Sequence, residues 1–196
     1  MSISRTELVN KALTLVGAAP VVNIDDNTQN ARIVSRVYEQ ALKSLLSEAP
    51  WNFATKRVLL SQLSVELAWY DTGEVYVYQR PNLCIRIFGT NSPSATWREE
   101  GDYIISDTSG LGVRYVEFNN TPSKYPAFFI EAFIDKLCAD VAYMILNSAT
   151  VAKAFVEKYE QVSLAKALAE NSQIGTPQYQ KDDAWDNAKL GNSWEV

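Results

Sequence analysis

A chain of 196 residues with 47% hydrophobic side chains can bury one sizeable core, or one core with a smaller satellite, without metal or disulfide support. Its formal net charge of −5, with no run of Lys and Arg, excludes a protein that wraps phosphate backbones by displacing their counterions. It contains no histidine, which excludes Ser-His and Cys-His nucleophile pairs and His metal ligands; the expectation is a protein that is not an enzyme and carries no cofactor.

The opening MSISRTELVNKALTLVG has too short an apolar run, and no small-residue cleavage site, for a secretory signal. Ser4-x-x-Glu7 is a capping box, Leu8, Ala12, Leu15 and Val16 come after it at helical spacing, and Gly17 can close the end. The first helix is predicted from about Arg5 to Val16. GAAPVVNIDDNTQN is loop chemistry tacked down by Val21, Val22 and Ile24, and Asp25, Asp26, Asn27 and Thr28 are N-cap candidates for the next helix. Ala31, Val34, Tyr38, Ala41, Leu45 and Ala49 then recur every three or four residues, predicting a second helix over about Thr28 to Glu48 with a Glu39–Lys43 pair on its wet side.

Pro50 ends that helix, because its ring disfavours helical geometry in Ala49. The period changes to two from Val58 to Leu63, and EVYVYQR, LCIRIFG, DYIISD and GVRYVEF come next, separated by the turn signals DTG, RPN, NSPS, EEGD, DTSG and NNTPS. One antiparallel sheet unit of five or six strands is predicted over residues 56–122. Trp51 and Phe53 stand at the junction, where they are expected to fill the seam between helical and β parts.

After Pro126 the helical period returns with two apolar stripes, one through Phe129, Phe133, Leu137 and Val141, the other through Ile130, Ile134, Cys138 and Ala142. This third helix is predicted to be covered on most of its circumference; Glu131, Asp135, Lys136 and Asp140, each costing about 2.5–3.5 kcal/mol at a bilayer centre, argue against a membrane span. Thr150 is the expected cap of a fourth helix facing inward through Val151, Phe155, Tyr159, Val162, Ala165 and Ala169. Residues 173–196 have no sustained period and alone should be disordered, yet they hold Tyr179, Trp185 and Trp194, which a purely solvating tail has no reason to carry. The predicted fold class is therefore α+β: a four-helix bundle from residues 1–55 and 123–172, a β-sheet insertion domain at 56–122 between helices two and three, and a C-terminal tail at 173–196.

Signals for chemistry are sparse. Cys84 and Cys138 lack C-x-x-C spacing and read as small buried thiols. The carboxylate pairs Asp25/Asp26, Glu99/Glu100 and Asp182/Asp183 sit in turn-like segments, where acids are solvated or capping; catalysis of glycoside hydrolysis would require two carboxyls facing each other across a cleft. The GLG at 110–112 lies between strands and reads as hairpin chemistry. Arg32 and Arg36 lie one turn apart on helix two, either as a solvated face with local ion pairs or as a contact to phosphate or a partner's acidic groups.

Four stretches carry a resemblance: LTLVGAAPVVNIDD, NARIVSRVYEQALKSLL, PWNFATKRVLL and YPAFFIEAFIDKLCADVAYMI. Over residues 3–172 the chain resembles the tail tubular protein A family, the head-to-tail adaptors or connectors of short-tailed bacteriophages. Its most specific elements are Gly17-x-x-Pro20 with Asp25 and Asp26, the Ala31-Arg32 start of helix two, and Pro50-Trp51-Asn52-Phe53-Ala54. The resemblance implies a virion protein at the head–tail junction, made and assembled in the host cytoplasm, with about a dozen copies in a ring. Its implied partners are further copies of itself, the portal protein, and a tail nozzle or fibres facing the β unit, with double-stranded DNA as passing cargo and neither membrane nor small-molecule substrate. The alternative, from a different class, is a tail component that hydrolyses peptidoglycan or another glycan, with Glu99 and Glu100 as its acids.

Overall fold

Ser4 starts the structure as its spacing predicts: its hydroxyl accepts the Glu7 N–H at 3.2 Å while the Glu7 carboxylate accepts the Ser4 N–H at 2.6 Å. Helix α1 (Arg5–Val16) then buries Leu8, Val9, Ala12, Leu13 and Val16, and Gly17 closes it in the left-handed region at φ 82°. The computed structural model describes residues 3–65, 67–70 and 73–174, a mixed α+β chain with two antiparallel sheets. The loop after α1 is pinned by Asn10, whose side chain donates to the Val21 carbonyl and accepts the Val21 N–H, both at 2.8 Å. Val21 and Ile24 are buried in it, whereas Val22, expected to help hold the loop, points into solvent. Asn30 donates to the Ala19 carbonyl at 2.9 Å and Asp26 accepts the Asn23 N–H at 2.9 Å, so polar side chains hold the loop backbone beside the two apolar anchors.

Helix α2 (Gln29–Glu48) is capped by Thr28, whose hydroxyl accepts the Ala31 N–H at 3.3 Å, and buries the predicted stripe of Ala31, Val34, Tyr38, Ala41 and Leu45. On its wet side Glu39 and Lys43 pair at 2.6 Å. Ala49 is extended, as the following proline requires, and a single 3₁₀ turn at Asn52–Ala54 leads into the strands.

Among the described residues the strands number seven and form two sheets, a correction to the single sheet unit of five or six strands. Strands β1 (Thr55–Leu59), β7 (Gly112–Glu117) and β4 (Cys84–Thr90) make one sheet in the order β1-β7-β4. Strands β2 (Gln62–Leu63), β3 (Tyr76–Gln79), β6 (Tyr103–Ser106) and β5 (Trp97–Glu100) make the other, in the order β2-β3-β6-β5. The alternating run from Val58 to Leu63 is divided at Leu60 and Ser61, where the chain crosses between sheets: the Leu60 N–H donates to the Leu111 carbonyl and the Ser61 carbonyl accepts the Gln79 N–H. The strand that sequence patterning did not offer is β5, Trp97–Glu100, which runs into the EEGD turn signal and has no apolar alternation; it is held by antiparallel pairing with β6. Strand β1 leaves apolar surface open, with Val58 40% and Leu59 68% exposed.

The three-stranded sheet has a different neighbour on each face. Ile85, Phe88, Val116 and Phe118 join the core built by the helices, while Cys84, Ile87, Val113 and Tyr115 join Leu60, Tyr78, Ile104 and Leu111 in a second core against the four-stranded sheet. Strand alternation sends successive side chains to opposite faces, so one short sheet can belong to two cores at once.

Helix α3 (Ala127–Leu146) begins after Pro126 and contacts α1, α2, and the two helices after it. Phe129, Phe133, Leu137 and Val141 from one predicted stripe and Ile134, Cys138 and Ala142 from the other are all buried. Next come α4 (Ala149–Lys158), a π turn at Tyr159–Ser163, and α5 (Leu164–Gln173). The cap of α4 is Ser148, whose hydroxyl accepts the Val151 N–H, in place of the expected Thr150. The expected inward stripe fails at its start, where Val151 is 41% exposed, and again beyond Tyr159, where Val162 is 58% exposed and the buried positions are Ser163, Ala167 and Asn171. The Leu164 N–H reaches back five residues to the Tyr159 carbonyl, and this wider turn moves the inward face one residue along. No helix among the described residues is long and apolar enough to cross a membrane.

Trp51 is fully buried, in ring contact with Phe128 and Phe129, and its indole N–H donates to the Leu45 carbonyl at 2.8 Å. Phe53 is half-buried against Tyr125 and Phe129. Trp51→Ala is therefore expected to lower stability by about 3–5 kcal/mol and Phe53→Ala by less, measured by urea unfolding; equal losses, or a Trp51 loss under about 1 kcal/mol, would contradict this packing.

Burial also pushes the Tyr38 hydroxyl up from 10.0 to about 12, the Cys138 thiol up from 9.0 to about 12 and the Cys84 thiol up from 9.0 to about 11. The unfolded chain releases these protons first while the folded chain keeps them, so their contribution is complete below about pH 9 and is lost as pH climbs towards 12. A urea midpoint that falls across that window is expected; one that rises would contradict it.

Candidate functional site

The turn Pro50–Ala54 is where α2, β1 and α5 meet. Asn171, buried on α5, accepts the Asn52 N–H on its side-chain oxygen at 3.0 Å and donates to the Pro50 carbonyl at 3.3 Å. The Asn52 side chain returns a bond to the Asn171 carbonyl at 2.8 Å. Thr55 adds a bond from its hydroxyl to the Trp51 carbonyl at 2.8 Å. Trp51 and Phe53 flank this staple, and all their ring contacts are with α3 and Tyr125; the interface between helices and sheet is filled by Ile85, Phe88, Val116 and Phe118. Asn52 and Asn171 lie 119 residues apart and no local pattern links them. Only the interruption of an apolar stripe by a buried asparagine could have drawn attention to Asn171.

A second polar cluster ties α3 to the π turn. The buried Asp135 carboxylate accepts from the Lys158 ammonium at 2.7 Å and from the Ser163 hydroxyl. A carboxylate removed from water is tolerated when its oxygens are satisfied in this way. Nearby Lys166 bridges to Glu131 at 2.8 Å. Glu131 and Asp135 thus share a groove between α3 and α5, but each faces a lysine. A neighbouring open groove of about 690 Å³ runs along α1 between Ile3, Asn10, Thr14, Leu15 and Ile134.

Of the carboxylate pairs singled out in the sequence, Asp26 accepts the Asn23 N–H at 2.9 Å on its carboxylate, while Asp25 joins the same loop through its backbone N–H, which donates to the Asn23 side chain at 3.2 Å. Glu99 and Glu100 are successive residues of β5 and point to opposite faces of the strand. Glu99 pairs with Arg80 at 2.8 Å, and Glu100 with Arg98 at 2.7 Å. They do not face each other across a cleft. Gly110, at φ 68°, and Gly112 form the approach to β7, with Asn91 bonded to both. Asp182 and Asp183 lie outside the described residues, as do Tyr179, Trp185 and Trp194.

Two pairs of arginines stand apart from these ion pairs. Arg32 and Arg36 are exposed one turn apart on α2. On the three-stranded sheet, Arg57 of the edge strand β1 is directly opposite Arg114 of β7. Arg114 is stacked over the Phe88 ring at 4.8 Å, and among the described residues no carboxylate pairs with Arg57 or Arg114. Like charges directly opposite in a sheet are destabilising, so the Arg57–Arg114 apposition costs stability that the Arg114–Phe88 stacking offsets in part. Cys84 and Cys138 are both buried and unbridged.

Asn171→Ala would leave the Asn52 N–H and the Pro50 carbonyl without their partner and is expected to cost about 1–3 kcal/mol in urea unfolding, with Asn171→Asp in between because it keeps the acceptor. A cost below about 0.5 kcal/mol for the alanine variant would contradict the staple's role.

No protein-family model matches the chain, and no curated protein matches it.

Proposed function

We propose that this chain is a structural head-to-tail adaptor of a short-tailed bacteriophage, forming a ring that joins the portal to the tail nozzle and lines part of the DNA ejection channel. The observation that carries the reading is the way the chain is divided. Helices α1 and α2 come from its first 48 residues and α3 to α5 from residue 127 onward, yet they share one core, and both sheets are built from the segment between. Taking α4, the π turn and α5 as one helix, this division supports reading the chain as a four-helix bundle with a β domain inserted after the second helix, the plan that the resemblance implies.

The stretches that carry the resemblance also fall on joints of the fold. Gly17 closes α1, Thr28 and Ala31 open α2, and Pro50–Ala54 is the turn stapled to α5. A ring subunit works as a rigid strut, and fixed joints are what it needs. The net charge of −5 suits a channel wall, because an acidic surface repels phosphate and lets duplex DNA slide without sticking. In this reading Tyr179, Trp185 and Trp194 anchor the segment after α5 on the portal or on a neighbouring subunit, Arg32 and Arg36 offer a second contact, and the β domain faces the nozzle or fibres.

The test is removal of residues 175–196, which spares the staple formed by Asn171 and Asn52. The expected product folds with an unchanged urea midpoint and fails to join portal-bearing capsids in a sedimentation assay. Normal capsid binding by the shortened chain would overturn the anchoring role of the three aromatics.

A further inference from the structure

The two sheets have four edges between them, and they are not equivalent. Strand β4 has two register shifts and is held against α2 by an Arg86 bond to the Ser47 carbonyl at 3.2 Å, so its edge is neither regular nor open. Strand β2 is two residues long. Strands β1 and β5 are regular edges of five and four residues. An open edge presents a row of unpaired backbone donors and acceptors, which is a template for a further strand.

The side chains on these two edges are complementary to each other and unsuited to themselves. Strand β1 reads Thr-Lys-Arg-Val-Leu and β5 reads Trp-Arg-Glu-Glu. In an antiparallel pair with Arg57 opposite Glu99, Lys56 falls opposite Glu100 and Leu59 opposite Trp97, joining two basic residues to two acids and an exposed apolar side chain to a half-buried ring. Two β1 strands centred on the same residue would instead set Arg57 against Arg57. Each acid also has an oxygen to spare: Arg80 binds Oε2 of Glu99, and Arg98 binds Oε1 of Glu100. An acid brought to Arg57 would relieve its unfavourable apposition with Arg114.

We propose that β1 of one copy pairs antiparallel with β5 of the next, so that the three-stranded sheet of one subunit and the four-stranded sheet of its neighbour form a continuous seven-stranded sheet. The inference rests on the proposed ring and gives that ring its interface. Because the two edges differ, the contact is head-to-tail, the kind that closes into a ring when the rotation between copies permits.

The test uses the full chain carrying Arg57→Cys and Glu99→Cys together, oxidised mildly and run without reductant, beside each single variant; the native thiols are buried. A ladder of covalent multimers from the double variant, and monomer from each single one, is expected. In parallel, light scattering should show Arg57→Glu weakening self-association about tenfold and Arg57→Glu/Glu99→Arg recovering most of it, with circular dichroism confirming that each variant folds. Multimers that form without a ladder and are indifferent to Arg57→Glu would overturn the edge pairing and leave the ring intact. A covalent product that stops at the dimer would overturn head-to-tail pairing. A chain that stays monomeric throughout, and forms no ring on capsids, would overturn both.

Discussion

The aromatic cluster at the start of α3 is the contact on which the rest of the structure depends. Phe129 touches Trp51, Phe53, Tyr125 and Phe133, and Phe133 continues the chain of rings to Tyr38 on α2. These rings come from the middle of α2, the turn after it and the return of the chain after the sheets, so packing them brings both halves of the helical core together. Edge-to-face and offset ring pairs contribute about 0.5–1.5 kcal/mol each beyond the area they bury, and they also restrict the angle at which elements cross. Trp51 is further fixed by its bond to the Leu45 carbonyl, which ties the turn back to the helix it leaves.

From that cluster the constraint passes outward through two polar fastenings and one shared sheet. Asn171 holds the Pro50–Ala54 turn to α5, and Asp135 holds the π turn to α3. The three-stranded sheet belongs to both cores, so the four-stranded sheet is attached through packing and not only by covalent connection. A subunit proposed to carry load between a capsid and a tail gains from this arrangement, since a force on the outer sheet reaches the helices through buried side chains. The basic edge at β1 and the acidic edge at β5 then lie on different sheets of one connected body.

How much could be read from the residues alone depends on how local each cause is. The ends of α1 and α2 were legible because Ser4, Glu7, Gly17, Thr28 and Pro50 act within one turn of themselves. The inward faces of α2 and α3 were legible because their periods are unbroken. The inward face after Tyr159 was not, because one π turn displaces every later position and leaves no mark in an alanine-rich stretch. One strand of the second sheet escaped for a similar reason: Trp97–Glu100 has no apolar alternation and is a strand only because β6 lies beside it. The staple between Asn52 and Asn171 and the apposition of Arg57 with Arg114 depend on tertiary placement, which no spacing in the chain encodes. The candidate residues on α2 and at the Pro50 turn could be named beforehand, but the bonds and charges that define their surroundings could not.

In the proposed role, the free energy this protein provides is spent on holding copies of itself and adjoining machinery in place. Electron microscopy of the purified chain mixed with portal-bearing capsids tests that most directly. The account predicts a ring of density beneath the portal vertex, with a central opening wide enough for duplex DNA. Capsids whose portal vertex remains bare at saturating protein, with the chain monomeric in solution, would contradict it.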